Sequence, residues 1–563
     1  MIRNSAFLWL FLHFSGCVLA QSSFIPLNED YYQRIDRYEI KSGKIYPQIF
    51  TGIKQYKRSD VVTFIDSINA DGYSTSKSDQ FNTSYIRNDN WEWSQAEDAD
   101  SEKPVLKHFY KKKADFYSHH TEDFDVHINP ILYLGAGMDS RLSDDQLLIN
   151  TRGVEVRGMV DGKVGFYTYL TENQMIMPSY INDERTRTGV IPHEGFWKRY
   201  KEGPGIDFLQ ARGYITFEAT KHINLQFGHD RFFIGNGHRS LILSDYAPPG
   251  LFFKGNVKVW KFNYLFLINR YTAEPRGNAG GSFGNAGYPE KFVALHHFSI
   301  NVGKKLNIGV FESVVFGADS LNQGKFDFAY ANPIIFYRAI EHQTGSRDNV
   351  LLGADFKWNA IKKVQLYGQL TLDEFLLDNI RQRNGWWANK FAAQAGLKYI
   401  DAFGVSNLDI QGELNVVRPF TFSHYTKYGS YSHFNQSITH PLGANFQEML
   451  GIIRYQPLPK LTFTAKVIMI KTGRDGVNEN WGGNILKNNS TRQQDFNNSI
   501  GQGIEQEIIY GSFTGSWMLK HNLFVDAMLI TRDSKSPDPL YQNNSTITTL
   551  SLRWNIAQRH YEF

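Results

Sequence analysis

The chain has one cysteine, Cys17, in 563 residues, which excludes an internal disulfide framework and any metal site built from cysteines. Proline is sparse, at 18 residues. After the first 20 residues no apolar run approaches the ~18 residues that a membrane-crossing helix requires. Neither sign of charge dominates: 60 Lys and Arg against 56 Asp and Glu leave a formal +4, with the signs interspersed. That balance offers no footprint for nucleic acid. Gly235-Asn236-Gly237 and Gly280-Gly281 lack the lysine or helix context of a phosphate loop. The neighbouring histidines His119-His120 and His296-His297 would face opposite sides of a strand, which argues against joint metal ligation. No cofactor or metal is expected.

Aromatic residues are abundant instead. They make up 15% of the chain, with 42 Phe and 30 Tyr, while mean hydropathy is only −0.40. Aromatic enrichment at low hydropathy fits strands that alternate apolar and polar faces between two aromatic girdles. Thr548, Leu550, Leu552, Trp554 and Ile556 share one face near the end of the sequence, and Thr549, Ser551, Arg553 and Asn555 share the other. Phe563 follows, resembling the terminal aromatic by which outer-membrane barrels are recognised for assembly. Its phase differs from that of Trp554, so a bulge or bend is expected within Ala557–His560. At the other end, Arg3, the apolar stretch Ala6 to Phe14 and Val18-Leu19-Ala20 read as a cleavable export signal over residues 1–20. Cleavage after Ala20 would remove Cys17, whose surroundings only loosely resemble a lipoprotein box.

The remainder divides near residue 120. Residues 21–120 read as a helical region. A helix start at Asn28-Glu29-Asp30 leads into Tyr31, Ile35 and Tyr38 at helical spacing, with Gly43 to end it. A second start at Ser59-Asp60 leads into Val61, Phe64, Ile65 and Ile68. Asp71 to Asp79 reads as a polar linker, and Lys111-Lys112-Lys113 as a solvated face. Residues 121–563 read as an antiparallel β-barrel. Turn signals at Asp161-Gly162, Lys221-His222, Lys305-Leu306, Ile361–Lys363 and Pro457–Lys460 separate alternating runs. Longer stretches at Tyr180–Pro204, Ala273–Pro289, Thr426–His440 and Gly473–Asn498 read as extracellular loops or inward folds. About 440 residues at about 24 per strand and connection give roughly 18 strands, with about 16 or about 20 open. The fold class is therefore all-β, an outer-membrane barrel with a small N-terminal helical region on its periplasmic side.

Several segments carry a family likeness in a consistent order. They are Ile25–Tyr32 with Ile35–Glu39, Gly228-His229-Asp230 with Gly235-Asn236-Gly237, Ser240–Ser244 and Ala247-Pro248-Pro249. Further along come Asn332–Arg338 with Glu341, Asp348–Gly353, Asp373-Glu374-Phe375, Glu413, Val417–Thr421 and His440–Phe446. Together they resemble the Wzi-type capsule assembly outer-membrane proteins, a family that includes RemB-like gliding-motility barrels. The resemblance implies an eighteen-stranded barrel in the outer membrane of a gram-negative bacterium, a periplasmic helical bundle and a partly blocked lumen. It also implies a non-enzymatic, lectin-like role at a surface polysaccharide; the alternatives are an interaction subunit of a gliding or secretion machinery, with a protein partner, and a diffusion porin.

Most charged residues of these segments are expected to face inward, because an arginine on the lipid face costs about 2–4 kcal/mol near the midplane. Asp230, Arg231, Arg338, Glu341, Asp373, Glu374, Glu413 and Arg418 are thus expected to form a luminal polar network. Asp373 and Glu374 are neighbours in a strand and should point apart, against an acid–base pair. Trp386, Trp387 and Trp481, set among asparagines and glycines, are the residues best suited to stack on sugar rings; an interfacial girdle is the alternative for Trp386 and Trp387.

Overall fold

The computed structural model describes residues 22–563 apart from 95, 143–145, 201–202, 275–287, 318–324, 335 and 345–347. The export signal and most of the expected Ala273–Pro289 loop lie outside the described residues. Eighteen antiparallel strands close into one barrel. In chain order they are β1 Phe124–Asp139, β2 Leu147–Val160, β3 Val164–Ile176, β4 Ile206–Thr220, β5 Ile223–Asp230 and β6 Gly250–Val259. Then come β7 Phe262–Thr272, β8 Glu290–Val302, β9 Leu306–Phe316, β10 Asn349–Ile361, β11 Val364–Glu374 and β12 Lys390–Tyr399. The last six are β13 Leu408–Val417, β14 Phe446–Leu458, β15 Leu461–Arg474, β16 Ile504–Lys520, β17 Leu523–Lys535 and β18 Ser545–Trp554.

Alternation builds the wall. Along β14, Phe446, Glu448, Leu450 and Ile452 are buried inward while Gln447, Met449, Gly451 and Ile453 are exposed outward. Repeated around the circumference, this leaves an outer belt of residues such as Ile215, Phe227, Val310, Met449, Ile509 and Leu550. So large an apolar surface requires lipid or protein cover. Among the described residues no helix is long and apolar enough to cross a membrane.

The two rims differ. At one, most strand pairs meet through tight turns. Asp161 and Gly162 both take positive φ (52° and 61°), as the hairpin signal requires. At the other rim run the long connections, including Gly473–Asn498 as expected. Three long connections were not anticipated: 231–249, 317–348 and 375–389.

Helices α1 (Tyr31–Ser42), α2 (Arg58–Ala70) and α3 (Lys77–Asp89) precede the wall. Gly43 ends α1 in the left-handed conformation. Asp71–Asp79 is not simply a linker, because Ser76 and Asp79 form a reciprocal capping box that starts α3. The apolar stripes Ile35 and Tyr38, Val61, Phe64, Ile65 and Ile68, and Tyr85 and Ile86 pack into one core. Full burial of each large side chain contributes about 1.5–3 kcal/mol. Polar contacts fix this bundle to the tight-turn rim. Arg37 pairs with Asp401 and Asp409, Asn82 bonds Gln456 at 2.8 Å, and Asp89 accepts from Asn522 at 2.8 Å.

The end of the chain departs from the expected wall strand. Pairing of β18 with β1 stops at Trp554–Leu132. Asn555, with φ 51°, then turns the chain inward. Residues 557–563 hold no bulge in the wall, because Gln558, Arg559, His560 and Glu562 all line the interior. Phe563 is 7% exposed inside the barrel, its ring 5.9 Å from Tyr180 and 6.2 Å from Tyr246. Its main-chain oxygen accepts from Arg532 Nε at 3.0 Å. Below Trp554 the vacated place beside β1 is taken by Tyr117–His120, in register with Asp125–Ile128.

Candidate functional site: a filled lumen and a loop platform

Four stretches occupy the lumen: the N-terminal region, the connection 231–249, part of 418–445 and the tail 555–563. The connection 231–249 pairs with the N-terminal region through Ile53↔Ile234 and Lys54↔Phe233. Gln369 on β11 holds it from the wall, donating to the Ile234 carbonyl at 2.9 Å and accepting from the Leu241 amide at 2.7 Å. Gly237 allows the closest approach, since a Cβ there would lie 2.5 Å from Glu413 Oε2. That explains the Gly235-Asn236-Gly237 motif without any phosphate.

Glu413 and Glu448 are the centre of the network. Glu413 accepts from the His238 and Arg239 amides at 2.7 and 3.0 Å and from Tyr367 Oη at 2.8 Å. Fully buried Glu448 takes Arg239 Nη2 at 3.0 Å, His440 Nε2 at 2.8 Å and Asn415 Nδ2 at 2.9 Å. Glu562 of the tail joins them, 2.6 Å from His238 Nε2 and 2.5 Å from Lys466 Nζ. Three carboxylates in a low-dielectric interior are held here by guanidinium, imidazole, ammonium and amide donors.

The expected luminal residues divide into those brought together and those set apart. Asp230 is buried and accepts from Gln55 Nε2 at 2.8 Å, with Arg212 at 3.9 Å. Arg231 lines the interior. Arg418 reaches the loop rim, donating to the Trp386 and Asn498 carbonyls at 3.4 and 3.5 Å. Asp373 and Glu374 do not point cleanly apart. A register shift between Leu372 and Glu374 lets Lys390 Nζ reach both, at 3.8 and 2.9 Å. They form an ion-paired cluster with that lysine.

Arg338 and Glu341 are not luminal. They pair at 2.7 Å on helix α5 (Tyr337–Thr344), which follows α4 (Ser179–Thr188) in chain order. Helix α5 lies against the outer wall, over Ala294, Val314 and Val350. Outward-facing Glu312 accepts from the Tyr337 and Arg338 amides at 2.7 and 2.9 Å, satisfying free N–H groups at the helix start. Outward-facing His296 meets Tyr337 Oη at 2.5 Å, while His297 points inward to Asp355 at 2.6 Å. Most charges of the wall do face inward, but Arg338 and Glu341 escape the cost of lipid exposure by another route. A loop folded back over the wall is a second way to satisfy them.

The three tryptophans lie at the loop rim, beyond the strand ends. The connections 375–389 and 475–503 are stitched together by Trp387 N to Asp495 O at 2.8 Å and Asn497 N to Asn384 O at 2.8 Å. Gln502 Nε2 bridges the Trp481 carbonyl at 2.9 Å and Asn498 Oδ1 at 2.8 Å. All three indoles are partly buried. Arg492 covers the Trp387 ring at 4.1 Å, and Trp481 Nε1 donates to Glu479 at 2.8 Å. Among the described residues, no cluster of three or more metal-ligating side chains occurs.

This architecture, eighteen strands closed into a barrel with an apolar outer belt and a polar interior, is the fold of a large antiparallel outer-membrane β-barrel. No family model and no curated protein matches the chain. Among solved structures, the chain is similar to Wzi of Escherichia coli, described as a carbohydrate-binding β-barrel involved in group 1 capsule assembly. The TM-score is 0.56 at 11% identity, over 95% of this chain and 100% of that one. It is also similar to OccK8 (OprE) of Pseudomonas aeruginosa, at TM-score 0.41 and 10% identity over 76% and 97%. OprD from the same organism gives TM-score 0.41 and 10% identity over 76% and 94%.

Proposed function

We propose that the chain is a closed outer-membrane barrel that holds a surface polysaccharide at its long-loop rim, with the helical region on the periplasmic side. The observation that supports this most directly is the filled lumen: four chain segments occupy it, Glu413, Glu448 and Glu562 join three of them, and strand pairing at Ile53↔Ile234 joins the fourth. A barrel so packed leaves its long-loop rim as the face open to a surface polymer. The platform of Trp386, Trp387 and Trp481 supplies aromatic faces beside asparagine amides, the chemistry that sugar rings need. The carbohydrate binding described for the Escherichia coli barrel agrees with this reading. Purified polysaccharide from the producing bacterium should bind the detergent-solubilised barrel, and Trp386→Ala, Trp387→Ala or Trp481→Ala should weaken it. Failure to bind any of the host's own glycans would overturn the reading.

A second reading, a subunit of a larger outer-membrane machine, is favoured by the outer-wall excursion around α5. Phe328, Ile334 and Phe336 there are 82%, 86% and 75% exposed. Copurification in gentle detergent tests it, and a lone monomer in every detergent would remove it. A third reading, a diffusion porin, is tested by single-channel recording, where a filled lumen gives no steady conductance.

A further inference from the structure

A cavity of about 380 Å³ lies within the lumen, between α1, the tail and the inner wall. One side of it is formed by β14, β15 and β16. Their inward positions bring Thr462, Thr464, Thr514 and Ser516 to its surface. None of these four hydroxyls has a hydrogen-bond partner among the described residues. Facing the same space are cations from different elements: Arg34 of α1, Arg454 of β14 and Lys460 of the turn after it.

The charges here are unevenly matched. Four lining carboxylates have a base: Asp36 has Lys398 at 2.6 Å, Asp409 has Arg37, Glu562 has Lys466 at 2.5 Å, and Asp30 has Arg553 at 3.5 Å. Glu155, Glu194 and Asp245, elsewhere in the lining, accept from the neutral donors Tyr167, Gln210 and Asn28. Arg34 and Arg454 have no carboxylate partner among the described residues. Arg34 is only 7% exposed, and its Nη1 is buried without any hydrogen-bond partner. The Tyr85 ring, 4.6 Å from its guanidinium carbon, supplies a cation–π contact but no acceptor. A buried guanidinium without an acceptor is costly, and a paired carboxylate or phosphate relieves that cost.

We infer that this cavity is a binding site for a small anion bearing a carboxylate or phosphate group. Arg34 and Arg454 supply the charge, and the hydroxyls of β15 and β16 supply neutral contacts to its remaining oxygens. The guanidinium geometry suits both anion types, with two parallel donors to two oxygens. This site lies apart from the tryptophan platform, and the inference does not depend on the polysaccharide reading.

The test uses the full-length barrel in detergent. Thermal unfolding is followed with inorganic phosphate, with D-glucuronate, with glucose, and with sodium chloride at matched ionic strength. Stabilisation should saturate with one or both anions, as binding to the native state requires, and glucose and chloride should give none. Arg34→Gln and Arg454→Gln should each weaken the apparent affinity at least tenfold. Thr464→Val, which keeps every charge, should weaken it severalfold and covers the case in which an arginine variant fails to fold. Saturation by phosphate alone would assign a phosphate-type ligand, and by glucuronate alone a carboxylate. The inference fails if no anion stabilises saturably, or if the shift is unchanged in all three variants.

Discussion

Two parts of the same lumen treat charge in opposite ways. Around Glu448 every carboxylate oxygen meets a donor, and the donors come from the wall, the connection 231–249 and the loop before β14. Around Arg34 and Arg454 the hydroxyls and guanidinium groups face open space. The first arrangement rigidifies: it joins segments distant in sequence at fixed positions. The second leaves polar groups available, which is the condition for binding something else. Polarity alone thus does not mark a site inside a barrel; unmatched polarity does.

The largest expected effect comes from breaking the matched side. Glu448→Ala leaves Arg239 and His440 buried without their acceptor and should cost about 3–5 kcal/mol in urea unfolding from micelles. A loss below about 1 kcal/mol would show that the cluster is not the brace described. Next, Glu562→Gln should loosen the tail at about 1–3 kcal/mol, seen as faster proteolysis after Asn555 and as a rise in single-channel conductance. An unchanged channel record would mean that other segments close the lumen without it.

A third prediction concerns acid. Burial would raise Asp89, but His521 and Arg58 together outweigh it and hold the carboxyl well below its ordinary value of 3.8. Burial likewise opposes Arg37 and Lys41 at Asp79, and the carboxyl is again lowered. Groups with depressed native values stabilise fully above the ordinary carboxylate range and lose that contribution as pH falls through the native value. Docking of the α1–α3 bundle should therefore hold at neutral pH and weaken progressively below about pH 4, as read by protease access to the segment between α2 and α3. The smallest effect belongs to the unmatched side. Arg34→Gln should leave anion-free stability unchanged or slightly raised, within about 1 kcal/mol, because it removes a charge with no partner. A large loss would show that Arg34 is structurally paired.

The wall was legible in the sequence because alternation is a local signal. A period of two assigns each side chain to a face, and Asp161-Gly162 declares its turn through the backbone it must adopt. The contents of the lumen were not legible. Which connection folds inward depends on partners far along the chain, such as Gln369 for Ile234 or Lys466 for Glu562, and no local pattern encodes them. The tail shows the difference best. Its aromatic ending looks like a wall strand, yet the polar residues before it, His560 and Glu562, have their partners inside. Arg338 and Glu341 show the converse, charges placed outside by a loop that covers the wall. Arg34 and Arg454 went unnoticed because an arginine on a helix or at one strand position looks the same whether or not a partner awaits it.

The two-part seam beside β1 has a consequence for what closes the cylinder. Its upper half is sealed by β18, but its lower half is sealed by Tyr117–His120, a stretch contributed by the region that precedes the wall. Tyr110 stacks on Trp554 where the halves meet, with ring centroids 5.8 Å apart. Complete closure of the cylinder therefore needs the segment that precedes the wall as well as its last strand. Removing that segment would leave the main-chain groups of residues 125–128 as an unpaired sheet edge, so the region before β1 is a stave of the barrel as well as its cap.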